Sequence, residues 1–134
     1  MHLSTTRVTT RAGAAALALT TTMLLAPLAA QAAGDAAAGK TLFQQKCAIC
    51  HSPDKGTNKI GPSLWGVVGR KAGSLEGFNY SEAMKNANRT WNEDTLSDYL
   101  TNPRQKIPGI KMMFPGLPNQ TDRDNVIAYL STLK

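Results

Sequence analysis

The sequence predicts an all-α domain in which helices joined by long loops close around a large central group. Three observations lead there. The residues after 34 give helical patterns of apolar side chains and no convincing strand. Glycine and proline punctuate 56–77 and 103–118, so long irregular segments must separate the helices. The chain has only 3 Phe, 2 Trp and 3 Tyr, a thin supply of bulky core groups. A small domain usually profits from a staple or cofactor, and structureless loops of this length are uncommon unless functional. A buried macrocycle would satisfy both conditions.

The front of the chain has a different composition. Arg7 and Arg11 form a basic region, 12–30 is nearly free of polar groups apart from threonines, and Ala30-Gln31-Ala32 offers a small-x-small cleavage site. This is the order of a secretory signal peptide, expected to occupy 1–32 and to be cleaved, leaving 33–134 as a single domain. The competing reading is a retained membrane anchor, because an apolar run of roughly 19 residues could just span a bilayer. The threonines, Pro27 and the cleavage site favour removal. With 15 basic and 9 acidic residues the chain carries +6, and losing Arg7 and Arg11 lowers this to +4. Charges of both signs are interspersed, so no nucleic-acid-binding stripe is present; a mildly basic surface suits acidic partners.

The elements follow in order. Asp35 can cap a first helix reaching about Ala48, with Leu42, Phe43 and Cys47 near one face and Gly39 leaving a notch on it. Residues 52–77 read as irregular. A short helix is expected over 81–87. Asn92 caps a clearer one, with Glu93 and Asp94 complementing the dipole in its first turn and Leu96, Tyr99 and Leu100 giving an apolar face. Pro103 ends that helix or starts a further short turn. The segment NPRQKIPGIKMMFPGLPN carries four prolines and is expected to form no regular element. Thr121 with Asp124 resembles a capping box shortened by a methylene. It would open a last helix with Val126, Ile127, Leu130 and Leu133 as its buried stripe and Tyr129 beside them.

The chemistry concentrates in CAICH, where Cys47 and Cys50 precede His51. A zinc site needs about four ligands, and beyond the leader the chain has only these two cysteines and this histidine. A thioredoxin-like dithiol needs a preceding strand and a parallel α/β framework, which the pattern lacks. A plain disulfide would account for the cysteines and leave His51 without a role. C-x-x-C-H is also the attachment signature of c-type haem. Two thiols at this spacing can add to the two vinyl groups of one haem, and the adjacent imidazole then lies under the iron. A second axial ligand should come from far down the chain. Met112 and Met113, in a rigid proline loop, are both candidates; Met23 belongs to the leader and Met84 to a short helix.

These residues, with GKTLFQQKCAICH, IGPSLWGVVGRKAG, GFNYSEA, TWNEDTL, DYLTNPRQKIPGIKM and DRDNVIAYL, resemble the class I cytochromes c of mitochondrial type in their compact bacterial periplasmic form. The resemblance covers nearly all of 34–130. It implies one haem c held by thioethers from Cys47 and Cys50, with His51 and Met112 as iron ligands. It implies that the Pro62 carbonyl orients His51, that the Tyr99 hydroxyl reaches the Met112 sulfur, and that Arg70, Tyr80 and Trp91 hold the haem propionates. Gly39 and Phe43 match the place where the first helix crosses the last. Met113 falls where the family usually has an aliphatic residue.

The function implied is soluble, periplasmic, one-electron outer-sphere transfer within a respiratory chain by an electron carrier that is not an enzyme. Lys46, Lys59, Arg104 and Lys111, with Lys106 near, match the docking face. Expected partners are redox proteins such as a cytochrome bc-type complex, a terminal oxidase, a reaction centre or a dehydrogenase, met by a monomer. Two rival readings are a haem peroxidase working once Met112 leaves the iron, and a fixed cytochrome subunit of a dehydrogenase or oxidase. Three departures from the family pattern stand out. Met84 and Ile110 replace polar residues that help hold a water near Tyr99, so a drier pocket is expected. The segment PGLPNQTDR lacks a lysine cluster, so association should fall less steeply with salt. Lys106 replaces an aromatic and is expected to loosen its turn.

Overall fold

A computed structural model describes residues 34–134; the signal-peptide expectation for 1–32 lies outside the described residues. The elements are α1 (Ala36–Lys46), α2 (Glu82–Lys85), α3 (Glu93–Thr101), α4 (Pro103–Lys106) and α5 (Gln120–Ser131). Among the described residues there is no strand, only an isolated antiparallel bridge between Lys71 and Thr90. No helix among them is long and apolar enough to cross a membrane.

α1 begins where the side chain of Asp35 accepts the Ala37 and Ala38 N–H groups, at 2.8 and 3.2 Å. This satisfies two of the donors that a helix start leaves without intrahelical partners. Its buried face is Gly39 and Phe43, and it packs against α5. The contact is close because Gly39 has no side chain: an added Cβ would lie 1.9 Å from the Asn125 carbonyl oxygen and 3.0 Å from the Tyr129 Cβ. Phe43 fills the crossing and its ring meets that of Tyr129 at 5.3 Å. Val126, Ile127, Leu130 and Leu133 are all buried, as the helical spacing predicts.

α5 starts earlier than Thr121. Asn119 is its cap and accepts the Thr121 N–H at 2.8 Å. Asparagine is a stronger cap than threonine, and Asn119 has the extended backbone a cap requires. Arg123 then ties this start to the preceding loop, donating to the Leu117 and Pro118 carbonyls, both at 2.8 Å.

α3 carries a reciprocal capping box between Asn92 and Thr95. Its end and the start of α4 share one residue: Asn102 closes α3, and its side chain accepts the Gln105 N–H ahead of Pro103 at the first position of α4. The proline-rich segment therefore does contain one regular turn, because proline is tolerated where a helix N–H has no partner anyway. Lys106 makes a tie of its own at this turn. Its ammonium pairs with the Asp98 carboxylate, which also binds Arg89 at 3.2 Å. One carboxylate thus joins α3, α4 and the strap before α3.

The Lys106 bond first, and the Arg89 bond after it, hold the Asp98 carboxyl below the usual carboxylate range. A depressed folded pKa stabilises above the unfolded value, and that contribution is lost as pH falls through the folded one. Asp98→Asn should therefore lower the Tm at neutral pH, and the gap to wild type should close as pH drops below the carboxylate range. Melting curves recorded from pH 7 downwards check this; a pH-independent gap would refute the ion-pair account.

Candidate haem site

The end of α1 delivers the motif. The Cys47 N–H still closes on the Phe43 carbonyl at 2.8 Å, and the Cys50 and His51 N–H groups fold back on the Cys47 carbonyl at 3.0 and 2.9 Å. This tight turn presents Cys47, Cys50 and His51 together. Both cysteines are thiols here and stand in for the thioether sulfurs of a haem-bound chain. Burial, with the neighbouring Cys50 adding to it, pushes the Cys47 thiol up to about 11, so it is protonated at neutral pH.

Residues 59–62 wrap the motif from outside. The Gly61 N–H donates to the Cys50 carbonyl at 2.8 Å. His51 Nδ1 lies 2.8 Å from the Pro62 carbonyl oxygen. Because a carbonyl only accepts, the neutral imidazole must carry its proton on Nδ1, which leaves the Nε2 lone pair for a metal. Burial pushes the His51 pKa down; the Pro62 bond opposes this, while Arg70 and Lys59 reinforce it. A Cβ on Gly61 would come within 2.3 Å of the imidazole Cε1. Gly61 therefore forms one wall of the histidine's seat, a role missed from the sequence although a glycine directly before the orienting Pro62 hinted at it.

The segments carrying Arg70 and Trp91 are joined through their backbones. The Gly69 N–H donates to the Trp91 carbonyl at 2.6 Å and the Trp91 N–H to the Arg70 carbonyl at 2.9 Å. Arg70 donates from Nη1 to the Trp65 carbonyl at 3.1 Å and from Nη2 to the Ser63 carbonyl at 3.0 Å. Its Nε is buried with no partner among the described residues. Burial of a guanidinium disfavours its charge, and an orphaned donor beside it is the environment an anionic group would satisfy. Tyr80 stands close enough to Arg70 for its phenol to feel that charge, although burial dominates and raises its pKa.

The proline-rich loop separates its two methionines by geometry. Met112 is half-buried and packs against the core, whereas Met113 is 77% exposed. Tyr99 is buried with its ring 4.8 Å from that of Trp91, and its hydroxyl pKa is pushed up by that burial. Among the described residues no hydrogen bond joins the Tyr99 hydroxyl to the Met112 sulfur. Ile110 is buried and Met84 packs against the same cluster. Lys111, one residue before Met112, donates to the Asn79 carbonyl at 3.0 Å and so ties this loop to the Tyr80 segment.

Lys46, Lys59, Arg104 and Lys111 are exposed. Lys106 is engaged with Asp98 instead. The residues present fit a haem: two thiols and an imidazole with one nitrogen fixed lie on one turn, a thioether lies half-buried in the proline-rich loop, and an orphaned guanidinium donor is available for a carboxylate.

The family model described as Cytochrome c matches residues 36–134. Cytochrome c2 of Rhodoblastus acidophilus is 56% identical over 103 residues, covering 76% of this chain and 95% of its own. Cytochrome c of Gibberella zeae is 52% identical over 100 residues, covering 74% and 94%. Among solved structures, cytochrome cH from Methylobacterium extorquens superposes with a TM-score of 0.69 at 44% identity, over 74% of this chain and 99% of that one.

Proposed function

This chain belongs to the cytochrome c family, and from that premise we propose that it is a soluble periplasmic carrier with His51 and Met112 as axial ligands. The family holds its haem c covalently, and Cys47 and Cys50 are the attachment cysteines. The protein is an electron-transfer protein and not an enzyme. The observation that supports the ligand assignment is the His51–Pro62 bond, which leaves the Nε2 lone pair free for a metal, together with the seating of Met112 against the core and of Met113 in solvent.

When bound, the haem supplies an iron that cycles between Fe(II) and Fe(III). The rest is done by the chain's own residues. Pro62 and Gly61 fix the His51 ring, which limits the rearrangement needed when one electron arrives or leaves. Val67, Leu96 and Ile110 are buried apolar residues, and an apolar setting with His51 and Met112 as ligands would disfavour the extra charge of the ferric state and raise the potential. Arg70 Nε, Tyr80 and Trp91 would hold the propionates. His51 and Met112 together would leave the iron no position for a substrate, and the chemistry it would supply is outer-sphere electron transfer.

Docking uses Lys46, Lys59, Arg104 and Lys111 against an acidic redox partner such as a cytochrome bc-type complex, terminal oxidase, reaction centre or dehydrogenase, met as a monomer. The full chain expressed in a host that matures haem c should yield a pink, detergent-free periplasmic protein. It should titrate reversibly with one electron and be reduced by a cytochrome bc-type complex. The rate should fall with ionic strength less steeply than that of a lysine-rich mitochondrial relative. A haem protein retained in the membrane fraction would refute the soluble reading, and a salt slope as steep as the relative's would refute the thin docking ring.

A further inference from the structure

Lys59 matches the docking rim, yet its ammonium is already engaged. Its Nζ donates to the carbonyl of Ala48, inside the Cys47–Cys50 turn, at 2.7 Å. Its own backbone N–H donates to the Gly61 carbonyl at 2.9 Å, closing a small turn over 59–61. That turn returns the Gly61 N–H to the Cys50 carbonyl at 2.8 Å, places the Gly61 backbone against the His51 imidazole and leads into the Pro62 carbonyl that holds Nδ1. Three residues of this four-residue stretch, Lys59, Gly61 and Pro62, therefore grip three positions of the CAICH turn: Ala48, Cys50 and His51.

We propose that 59–62 acts as a clasp on this turn and that Lys59 is its latch, a positioning residue for His51 rather than only a docking charge. The physical reason lies in where the other bonds are. Gly61 and Pro62 hold the inner end of the segment to Cys50 and His51. The outer end is exposed through Ile60, at 81%, and has no apolar side chain inserted in the core to anchor it. The Lys59–Ala48 bond fastens that outer end. A bond from a charged donor is among the stronger ones a surface residue can make, and it crosses to the one backbone segment that must stay fixed if Nε2 is to keep its aim. The ammonium has three protons, so the latch leaves donors for a partner, and both roles coexist.

The inference rests on the reading that haem is attached at Cys47 and Cys50, and the absorption spectrum of each variant reports attachment separately. The readouts are hydrogen-exchange rates, by NMR of the reduced holoprotein, at the Gly61 amide and at His51 Nδ1–H. Lys59→Met should speed both by about tenfold, the loss of one charge-assisted hydrogen bond. Lys59→Arg, which can still reach a carbonyl, should restore most of the protection. Lys46→Met, which removes the same charge from the same rim, should leave both rates unchanged. If Lys59→Met exchanged like wild type while flattening the salt dependence of partner reduction, Lys59 would be a docking charge only and the latch would be refuted. Equal acceleration at every amide would refute it too, because that reports global stability and not a clasp.

Discussion

Replacing Met112 with alanine is expected to abolish the methionine–iron charge-transfer band of the ferric protein and to lower its reduction potential. The drop should be on the order of 0.1–0.3 V, a substantial part of the roughly 0.8 V over which axial ligands tune haem. Met113→Leu should leave both properties as in wild type. The two methionines are neighbours in sequence and opposite in environment: Met112 packs against the core and Met113 is 77% exposed. For Met113 to reach the iron, the loop would have to turn over, exposing Met112 and disrupting the bond from Lys111 to the Asn79 carbonyl. Met112→Ala also opens the sixth position, so peroxidase activity should appear in that variant and not in Met113→Leu. A Met112→Ala protein that kept its band would overturn the assignment, and a wild-type ferric protein that was high-spin at neutral pH would favour the peroxidase reading.

The largest effect on stability is expected at Gly39. Alanine is the better helix former by about 1 kcal/mol, and Gly39 lies in the middle of α1, so propensity alone predicts a gain. Packing opposes it. The new Cβ would lie 1.9 Å from the Asn125 carbonyl oxygen and 2.5 Å from the carbonyl carbon. Those atoms belong to the backbone of α5 and cannot rotate aside, so the two helices must separate. Overpacking of this kind costs about 1–3 kcal/mol where side chains can yield, and the rigid neighbour places Gly39→Ala at the upper end, about 3 kcal/mol. In a domain of this size that is a fall in Tm on the order of 15 °C. Thermal or guanidinium unfolding of the ferric holoprotein measures it. A variant as stable as wild type would mean that the helices do not cross this closely. Gly34, whose added Cβ would lie 2.0 Å from the Asp124 carbonyl oxygen, extends the same seam.

Much of this was legible in the chain because it depends on short-range order. Asp35, Ser81 and Asn92 announce helix starts since a cap bonds only two or three residues ahead. The CAICH spacing announces a haem because both thiols and the imidazole must fit one turn. What misled was also local. Thr121 with Asp124 imitates a capping box, but Asn119 has the extended backbone a cap requires and takes the role. The tie from Lys106 to Asp98 was hidden because the two lie eight residues apart on different helices.

By itself the sequence determined the helical class, the placing of two cysteines and a histidine on one turn, and the two candidate methionines, all properties of spacing within a turn or two. Tertiary structure decided which methionine faces inward, which glycine admits a helix and which a histidine, and which lysine latches a loop. Each of those depends on what stands opposite, and residues brought opposite one another by folding lie tens of positions apart in the chain.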